Sequence, residues 1–152
     1  MTTVLVAACG APDDLGFGPL QVRALDPPAL RKHFSEEPGP LTGELRALSN
    51  GCLVVTIDGV DHVVIWPDGT ESVDAGVPVG RYEVTLPAER VLRADVRGGD
   101  RFTATGVVAD SGGVVVVDLD HPDDDQVGSY LGYCGVDAPP VMFPDAATFV
   151  VD

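Results

Sequence analysis

Alternating apolar and polar positions organise the middle of the chain, beginning at Leu41. Across residues 41–47 every second position is apolar or a glycine, which is the two-residue period of a strand buried on one face. Residues 52–57 are apolar on both faces except at Thr56, so we predict a central strand there. Residues 114–119, with four consecutive valines, predict another interior strand.

Turn signals separate these strands. Ser49-Asn50-Gly51 supplies residues that tolerate a positive φ, and Asp58-Gly59 is a two-residue hairpin signal. Pro67-Asp68-Gly69 ends the following strand in a turn, with the proline expected at the second turn position. The glycine-rich residues 96–100 predict a further turn.

The whole pattern indicates an all-β fold, because short strands recur between turn signals and helical periodicity is almost absent. We predict a small closed or partly open barrel, with a β-sandwich as the alternative. Residues between the acidic loop at 118–125 and residue 147 are expected to be mostly irregular. The predicted strands are residues 41–47, 52–57, 60–66, 80–86, 90–96, 101–109, 114–119 and 147–151.

The first forty residues differ from the rest. Six prolines between residues 10 and 40 discourage long helices and continuous sheet pairing. At most one short helix is expected, over residues 28–34, where Asp26 is an acceptable N-cap and Leu30 and Phe34 share a face. We predict a β-barrel domain at residues 41–152, preceded by a proline-rich tether or poorly ordered arm at 9–40.

Charge excludes one class of partner. The chain has 24 acidic and 9 basic residues, a net charge of −15, and a single lysine, Lys32. Nucleic acid is not expected as a partner, because phosphate binding requires clustered Lys and Arg. The acidity is read as a solubility feature. No run of 18 apolar residues occurs, so no membrane-spanning helix is predicted.

The start of the chain resembles the end of a bacterial lipoprotein signal peptide. Val6-Ala7-Ala8-Cys9 matches the lipobox, in which small apolar residues precede a cysteine that receives lipid after cleavage. The resemblance implies that residues 1–8 are a signal remnant and that Cys9 is the lipidation site. No basic residue precedes the short apolar segment. Either translation starts upstream of Met1, or Val4 to Ala8 is a short strand.

The lipoprotein resemblance also accounts for the three cysteines of the chain. If Cys9 carries lipid, Cys52 and Cys134 remain to form a disulfide, which export would favour. The alternative is two buried free thiols in a cytosolic protein. Cys52, Cys134, His62 and His121 have the composition of a zinc site, but no two of them stand at the usual ligand spacing, so no metal is assigned.

The central region resembles two groups of proteins. Gly43-Glu44-Leu45, the hairpin at Asp58-Gly59 and the V-x-x-G-D sequence from Val96 to Asp100 are similar to the oligonucleotide/oligosaccharide-binding (OB) barrel. Residues 41–137 as a whole resemble small uncharacterised secreted proteins and lipoproteins of GC-rich bacteria. That resemblance implies no known activity, and no catalytic residues are carried over. The segments that carry it are Gly51 to Val55, Val64 to Thr70, Arg97 to Asp100 and Gly132 to Gly135.

One acidic loop is the only candidate for a cation site. Its carboxylates are oxygen ligands of the kind that calcium prefers. Pro122 occupies the third ligand position of an EF-hand and the required glycine and final glutamate are missing, so a solvated loop is the default interpretation. The candidate ligands are Asp118, Asp120, Asp123, Asp124 and Asp125.

No catalytic constellation is recognisable. Ser129 lies in Gly128-Ser129-Tyr130-Leu131-Gly132, which lacks the arrangement of a nucleophile elbow, and no phosphate-binding loop occurs. We expect a membrane-anchored, outward-facing lipoprotein with a binding or structural barrel, no cofactor and a ligand of unknown kind. The alternatives are a soluble cytosolic accessory binding protein and a small hydrolase with its site in the barrel mouth.

Overall fold

Strands make up most of the structure in the residues that the computed structural model describes, which are 19–24, 32–74, 81–110 and 131–152. Helical residues occur only in short stretches there, including 32–33 and 131–134. The predicted all-β class is therefore confirmed. The strands are β1 (Gly39–Ala47), β2 (Leu53–Ile57), β3 (Val60–Ile65), β4 (Glu71–Asp74), β5 (Tyr82–Leu86), β6 (Arg90–Asp95), β7 (Gly98–Gly99), β8 (Arg101–Val108), β9 (Val141–Met142) and β10 (Val150–Val151), with 3-10 turns at Val22–Ala24, Pro87–Glu89 and Ala146–Thr148.

Five strands close into a ring. β1 pairs antiparallel with both β2 and β8, and β2 pairs antiparallel with β3. β9 completes the ring, because it lies parallel to β3 on one side and antiparallel to β8 on the other. This closed five-stranded arrangement matches the predicted small OB-like barrel. β10 extends the sheet by pairing with β8.

A second sheet is inserted between β3 and β8. Its strand order is β4-β5-β6-β7, with antiparallel pairing throughout. Its inner face carries Val84, Leu86, Leu92 and Ala94, which belong to the same buried cluster as the barrel interior. The two sheets therefore share one hydrophobic core.

Aromatic rings fill the interior of the barrel. The rings of Phe102 and Phe149 stack with centroids 5.1 Å apart, and Phe143 meets them edge-on at 5.6 and 5.3 Å. Trp66 lies 6.4 Å from both Phe143 and Phe149. Each such pair contributes about 0.5–1.5 kcal/mol beyond the burial of its area. The interior is thus a packed core rather than an open cavity.

Gly106 on β8 makes room for this aromatic cluster. A Cβ at that position would stand 2.6 and 2.7 Å from two carbons of the Phe143 ring and 2.9 Å from the Met142 carbonyl oxygen. Contacts below 3 Å of this kind force a shift of ring or backbone. The glycine is therefore required by space rather than by φ.

The turn at Asp58-Gly59 agrees with the sequence, and the turn at Pro67 differs in register. Asp58 and Gly59 have φ values of 50° and 80°, as the predicted hairpin turn requires. The amide of Thr70 donates to the carbonyl of Pro67 at 3.3 Å, so the proline occupies the first turn position rather than the predicted second. The Thr70 hydroxyl also donates to that carbonyl at 2.7 Å, which explains why this polar side chain is buried.

Other differences concern very short elements. Residues 98–99, predicted within a turn, form β7 and pair with Ala94 and Asp95, so the turn is confined to residues 96–97. β4, β9 and the helical residues 131–134 were not predicted. The predicted strand at 114–119 lies outside the described residues, as does most of the predicted helix at 28–34, of which residues 32–33 are helical.

Two pieces of the predicted arm pack against the barrel. Gln21 forms a parallel bridge with Trp66, and its side chain accepts from the Gly69 amide at 2.8 Å. Leu20 and Phe34 are 4% and 8% exposed in a second buried cluster outside the ring. The packed structure therefore extends to these residues before position 41.

The requirement for glycine at position 106 can be tested by comparing alanine substitutions at Gly106 and at Gly39, its partner on β1. We expect Gly106→Ala to lower the free energy of unfolding by about 1–3 kcal/mol, because the added methyl overpacks the core. Gly39 faces Gly106 in the β1–β8 register, and a Cβ there would meet nothing within 4 Å. Gly39→Ala should stay within about 0.5 kcal/mol of the original protein in urea unfolding. Equal losses in the two variants would contradict the packing argument.

The β5–β6 hairpin stores backbone strain that glycine would relieve. Ala88 and Glu89 have φ values of 66° and 60°, in the left-handed region that disfavours side chains. We expect Ala88→Gly to raise the free energy of unfolding by about 0.5–1 kcal/mol, since relief of strain exceeds the added chain entropy. Gly59→Ala, at φ 80° with no atom within 4 Å of its Cβ, should have the opposite sign. Thermal unfolding of both variants checks the pair.

Candidate functional site

A disulfide joins the turn after β1 to the helical residues that precede β9. Cys52 and Cys134 are bonded, with their Cα atoms 5.6 Å apart, within the usual range for disulfides. The two residues are 7% and 6% exposed. The predicted pairing is therefore present, and the bond attaches residues 131–136, here called the strap, to the barrel.

Reciprocal hydrogen bonds reinforce the strap beside the disulfide. The Asn50 side-chain amide donates to the carbonyl of Tyr133 at 2.9 Å, and the Tyr133 hydroxyl donates to the carbonyl of Asn50 at 2.8 Å. The Asn50 side-chain oxygen accepts from the Cys52 amide at 3.0 Å. One short turn therefore holds the strap covalently and through polar contacts.

The strap covers one outer face of the barrel. Val54 and Val63, from β2 and β3, are 0% and 1% exposed and cluster with the disulfide, Leu131 and Val136. Their neighbours in sequence, Val55 and Val64, belong to the interior cluster, so Val54 and Val63 point outwards.

In OB barrels the face of the second and third strands binds oligonucleotides or oligosaccharides. The corresponding face, formed here by β2 and β3, is occupied by the chain's own strap where Val54 and Val63 lie. A ligand could reach these two valines only if the strap moved. We therefore do not assign the usual OB ligand surface to this protein.

His62 lies within β3, opposite Val55 of β2. It is buried, and Nδ1 lies 2.7 Å from the carbonyl oxygen of Pro139. A carbonyl can only accept, so Nδ1 donates and the tautomer is fixed. This contact attaches the chain that follows the strap to β3. Because Cys52 and Cys134 are bonded to each other, the Cys2His2 zinc arrangement is not formed.

Asp61 is the centre of a small polar group on the barrel surface. Its carboxylate accepts from the Thr56 hydroxyl at 2.6 Å and lies 3.7 Å from the Arg46 guanidinium. The Arg46 and Asp61 side chains are 46% and 28% exposed, so the ion pair contributes at most about 1 kcal/mol. The group stabilises the β1–β2–β3 surface and has no catalytic geometry.

The hydrolase alternative requires a polar pair in the barrel mouth. Within residues 19–24, 32–74, 81–110 and 131–152, the interior cluster consists of apolar side chains. Every buried side-chain nitrogen or oxygen in those ranges has a hydrogen-bond partner, so none is directed at a missing ligand.

Several predicted sites lie outside the described residues. Cys9 and the acidic loop with Asp118, Asp120, Asp123, Asp124 and Asp125 are among them. In the part of the chain that is described, no three His, Cys, Asp or Glu side chains could hold a metal ion together. No helix in that part is long and apolar enough to cross a bilayer.

Comparisons with protein-family models, curated proteins and solved structures found no match to this chain.

Sequence reasoning found the two bonded cysteines but missed the residues that act with them. The sequence indicates Asn50 only as a turn former, and Tyr133 only as part of the Gly132 to Gly135 segment that carries the resemblance. Their proximity to Cys52 and Cys134 was the available signal, because a disulfide brings its flanking residues together. The strap itself was hidden in a glycine-rich stretch without strand periodicity.

Removal of the disulfide should destabilise the protein strongly. We expect Cys52→Ser/Cys134→Ser to lower the free energy of unfolding by about 4–5 kcal/mol, because the bond closes a loop spanning 82 positions. Denaturant unfolding with and without a dithiol reductant provides the internal control. The reductant should lower the stability of the original protein and leave the double variant unchanged; an unaffected original protein would contradict this prediction.

Proposed function

We propose that this protein is a lipoprotein anchored through Cys9, carrying its small β-barrel on the outer side of the cell membrane as a binding or structural domain. The observation that carries the proposal is the Cys52–Cys134 disulfide. Disulfides persist in oxidising compartments and are rare in the cytosol. The lipobox-like residues Val6 to Cys9 supply the second argument, because they pair an export signal with a lipid acceptor.

The disulfide and the lipid acceptor support each other through the cysteine count. The chain has three cysteines, and two of them are bonded. Cys9 is then the cysteine that remains for lipid. Stable anchoring requires more than one acyl chain, so diacylation of Cys9 is the form that the proposal requires.

The packed N-terminal segment limits how far the domain would stand from the bilayer. Leu20 and Gln21 already bind the end of β3, so the spacer after Cys9 consists of residues 10–18. Fully extended, a spacer of this length reaches about 30 Å. The barrel would therefore work close to the membrane surface.

The packing of the N-terminal segment also favours the second candidate, a soluble cytosolic accessory protein. The bridge between Gln21 and Trp66 joins one residue from before the barrel to its surface. A short N-terminal strand that begins at Val4 would continue this role without export. In that case the cell would contain the two thiols of Cys52 and Cys134 in reduced form.

Fatty-acid labelling in cells distinguishes the two candidates. We expect the protein, expressed with its native upstream sequence in a bacterium that processes lipoproteins, to incorporate an alkyne fatty acid and to fractionate with membranes. Cys9→Ser should lose both the label and the membrane association, because the acceptor sulfur is gone. Cys52→Ser/Cys134→Ser is the matched control and should keep the label.

Protease added to intact cells from which the outer envelope layers have been removed tests on which side of the membrane the barrel lies. We expect the barrel to be digested. An unlabelled original protein, or a Cys9→Ser variant that keeps its label, would refute the anchor. Cytosolic recovery with both thiols alkylated before any reduction would support the accessory-protein candidate instead.

A further inference from the structure

We propose that Asn50 is a self-modification site, where the strap controls conversion of the side-chain amide to a carboxylate by deamidation. Asn50 is the single asparagine of the chain, and Gly51 follows it. The attacking group is the backbone nitrogen of Gly51, and the co-reactant is water. Glycine carries no Cβ to shield that nitrogen, so an Asn-Gly pair allows the closest approach to the side-chain carbon.

The turn itself explains why glycine follows the asparagine. Gly51 has a φ of +84°, which L side chains rarely adopt, and a Cβ there would lie 3.1 Å from the Tyr82 hydroxyl. The conformation therefore favours glycine at position 51. The reactive dipeptide is thus a consequence of how β1 connects to the disulfide.

The folded turn holds both reacting groups out of position. The Gly51 amide donates to the Leu48 carbonyl at 2.9 Å, so its nitrogen is directed away from the side chain it would attack. The Asn50 amide nitrogen donates to Tyr133, and its oxygen accepts from Cys52. Rotation of the carboxamide towards Gly51 breaks the last two contacts. The closed turn therefore protects Asn50.

The strap controls how often this turn opens. Tyr133 supplies the acceptor for the Asn50 amide, and the adjacent Cys134 is bonded to Cys52. Local opening requires the strap and the turn to separate, which the disulfide prevents. Reduction of the disulfide removes that restraint. The redox state of Cys52 and Cys134 thus sets the deamidation rate of Asn50.

The reaction needs only water and base. The Gly51 nitrogen loses its proton to hydroxide and forms a bond to Cγ of Asn50, while the Cγ–Nδ2 bond breaks and ammonia leaves with a proton from water. Water then opens the five-membered imide at either carbonyl, giving aspartate or isoaspartate. The sum is amide plus water to carboxylate plus ammonium, with no change of oxidation state.

The product would weaken the strap that protected it. A carboxylate has no proton to donate to the Tyr133 carbonyl, so one of the reciprocal hydrogen bonds is lost. Isoaspartate also lengthens the backbone of the turn by one methylene. Deamidation is irreversible, so position 50 would record how long a molecule has spent with its strap open.

Peptide mass spectrometry during incubation at mildly alkaline pH tests the proposal on the full chain. Assignment of the amide-to-acid mass change to the peptide that contains Asn50 separates it from deamidation of Gln21 and Gln126. We expect the oxidised protein to deamidate at least about tenfold more slowly than the dithiol-reduced protein, equivalent to about 1.4 kcal/mol of protection. In concentrated denaturant the oxidised and reduced chains should react at closely similar rates. Asn50→Gln should abolish the signal.

A second variant keeps the test decisive if the reduced protein unfolds. Tyr133→Phe retains the disulfide and removes the donor to the Asn50 carbonyl. It should deamidate roughly twofold to tenfold faster than the original oxidised protein, the range that one neutral hydrogen bond spans. Circular dichroism verifies that each variant is folded. Equal rates in folded oxidised and folded reduced protein, an oxidised rate equal to the denatured rate, or an unchanged Tyr133→Phe rate would overturn the proposal.

Discussion

The packing of Phe143 against Gly106 is the constraint on which the barrel depends. β9 contains only Val141 and Met142, yet it must pair with both β3 and β8 to close the ring. The Phe143 amide continues that pairing by donating to the Ile65 carbonyl at 2.9 Å, and its ring enters the interior where Gly106 has no side chain. The pairing that closes the ring therefore also places the Phe143 ring in the core.

The outer surface depends on this closure as well. Met142, whose strand completes the ring, packs in the second cluster with Leu20, Phe34 and Val107. The N-terminal segment therefore lies on a surface that exists only once β9 is in place. On another side of the barrel, the strap requires β2 and β3 to present Val54 and Val63 together.

The sequence predicted the barrel where local chemistry decided the structure. Alternation over residues 41–47 and the Asp58-Gly59 signal located β1 and the β2–β3 hairpin because side-chain period and positive φ are local properties. β9 could not be predicted in this way, since two residues carry no period and their pairing depends on partners far along the chain. Distant contacts also act on the proline turn whose register was predicted wrongly. Gln21, from the N-terminal segment, donates to the Thr70 carbonyl and accepts from the Gly69 amide.

At the candidate site, the sequence predicted the disulfide but not the hydrogen bonds around it. Pairing of Cys52 with Cys134 followed from a cysteine count joined to a sequence resemblance. The roles of Asn50 and Tyr133 required knowledge of which turn meets which helical residues. The buried contact between His62 and Pro139 could not be predicted from the sequence either. Its acceptor is a backbone carbonyl, which every residue carries, so the residue type does not indicate the contact.

The attachment of the N-terminal segment at Trp66 has a mechanical consequence. Leu20 accepts from the Trp66 amide at 2.7 Å, and Val22 donates to the Trp66 carbonyl at 2.9 Å. The Arg23 amide adds a bond to Asp68 at 2.7 Å. A pull on the chain upstream of residue 19, along the direction of the segment, would load these bonds in shear and at the same time. Tension would thus act on the barrel at the end of β3, where these bonds are made.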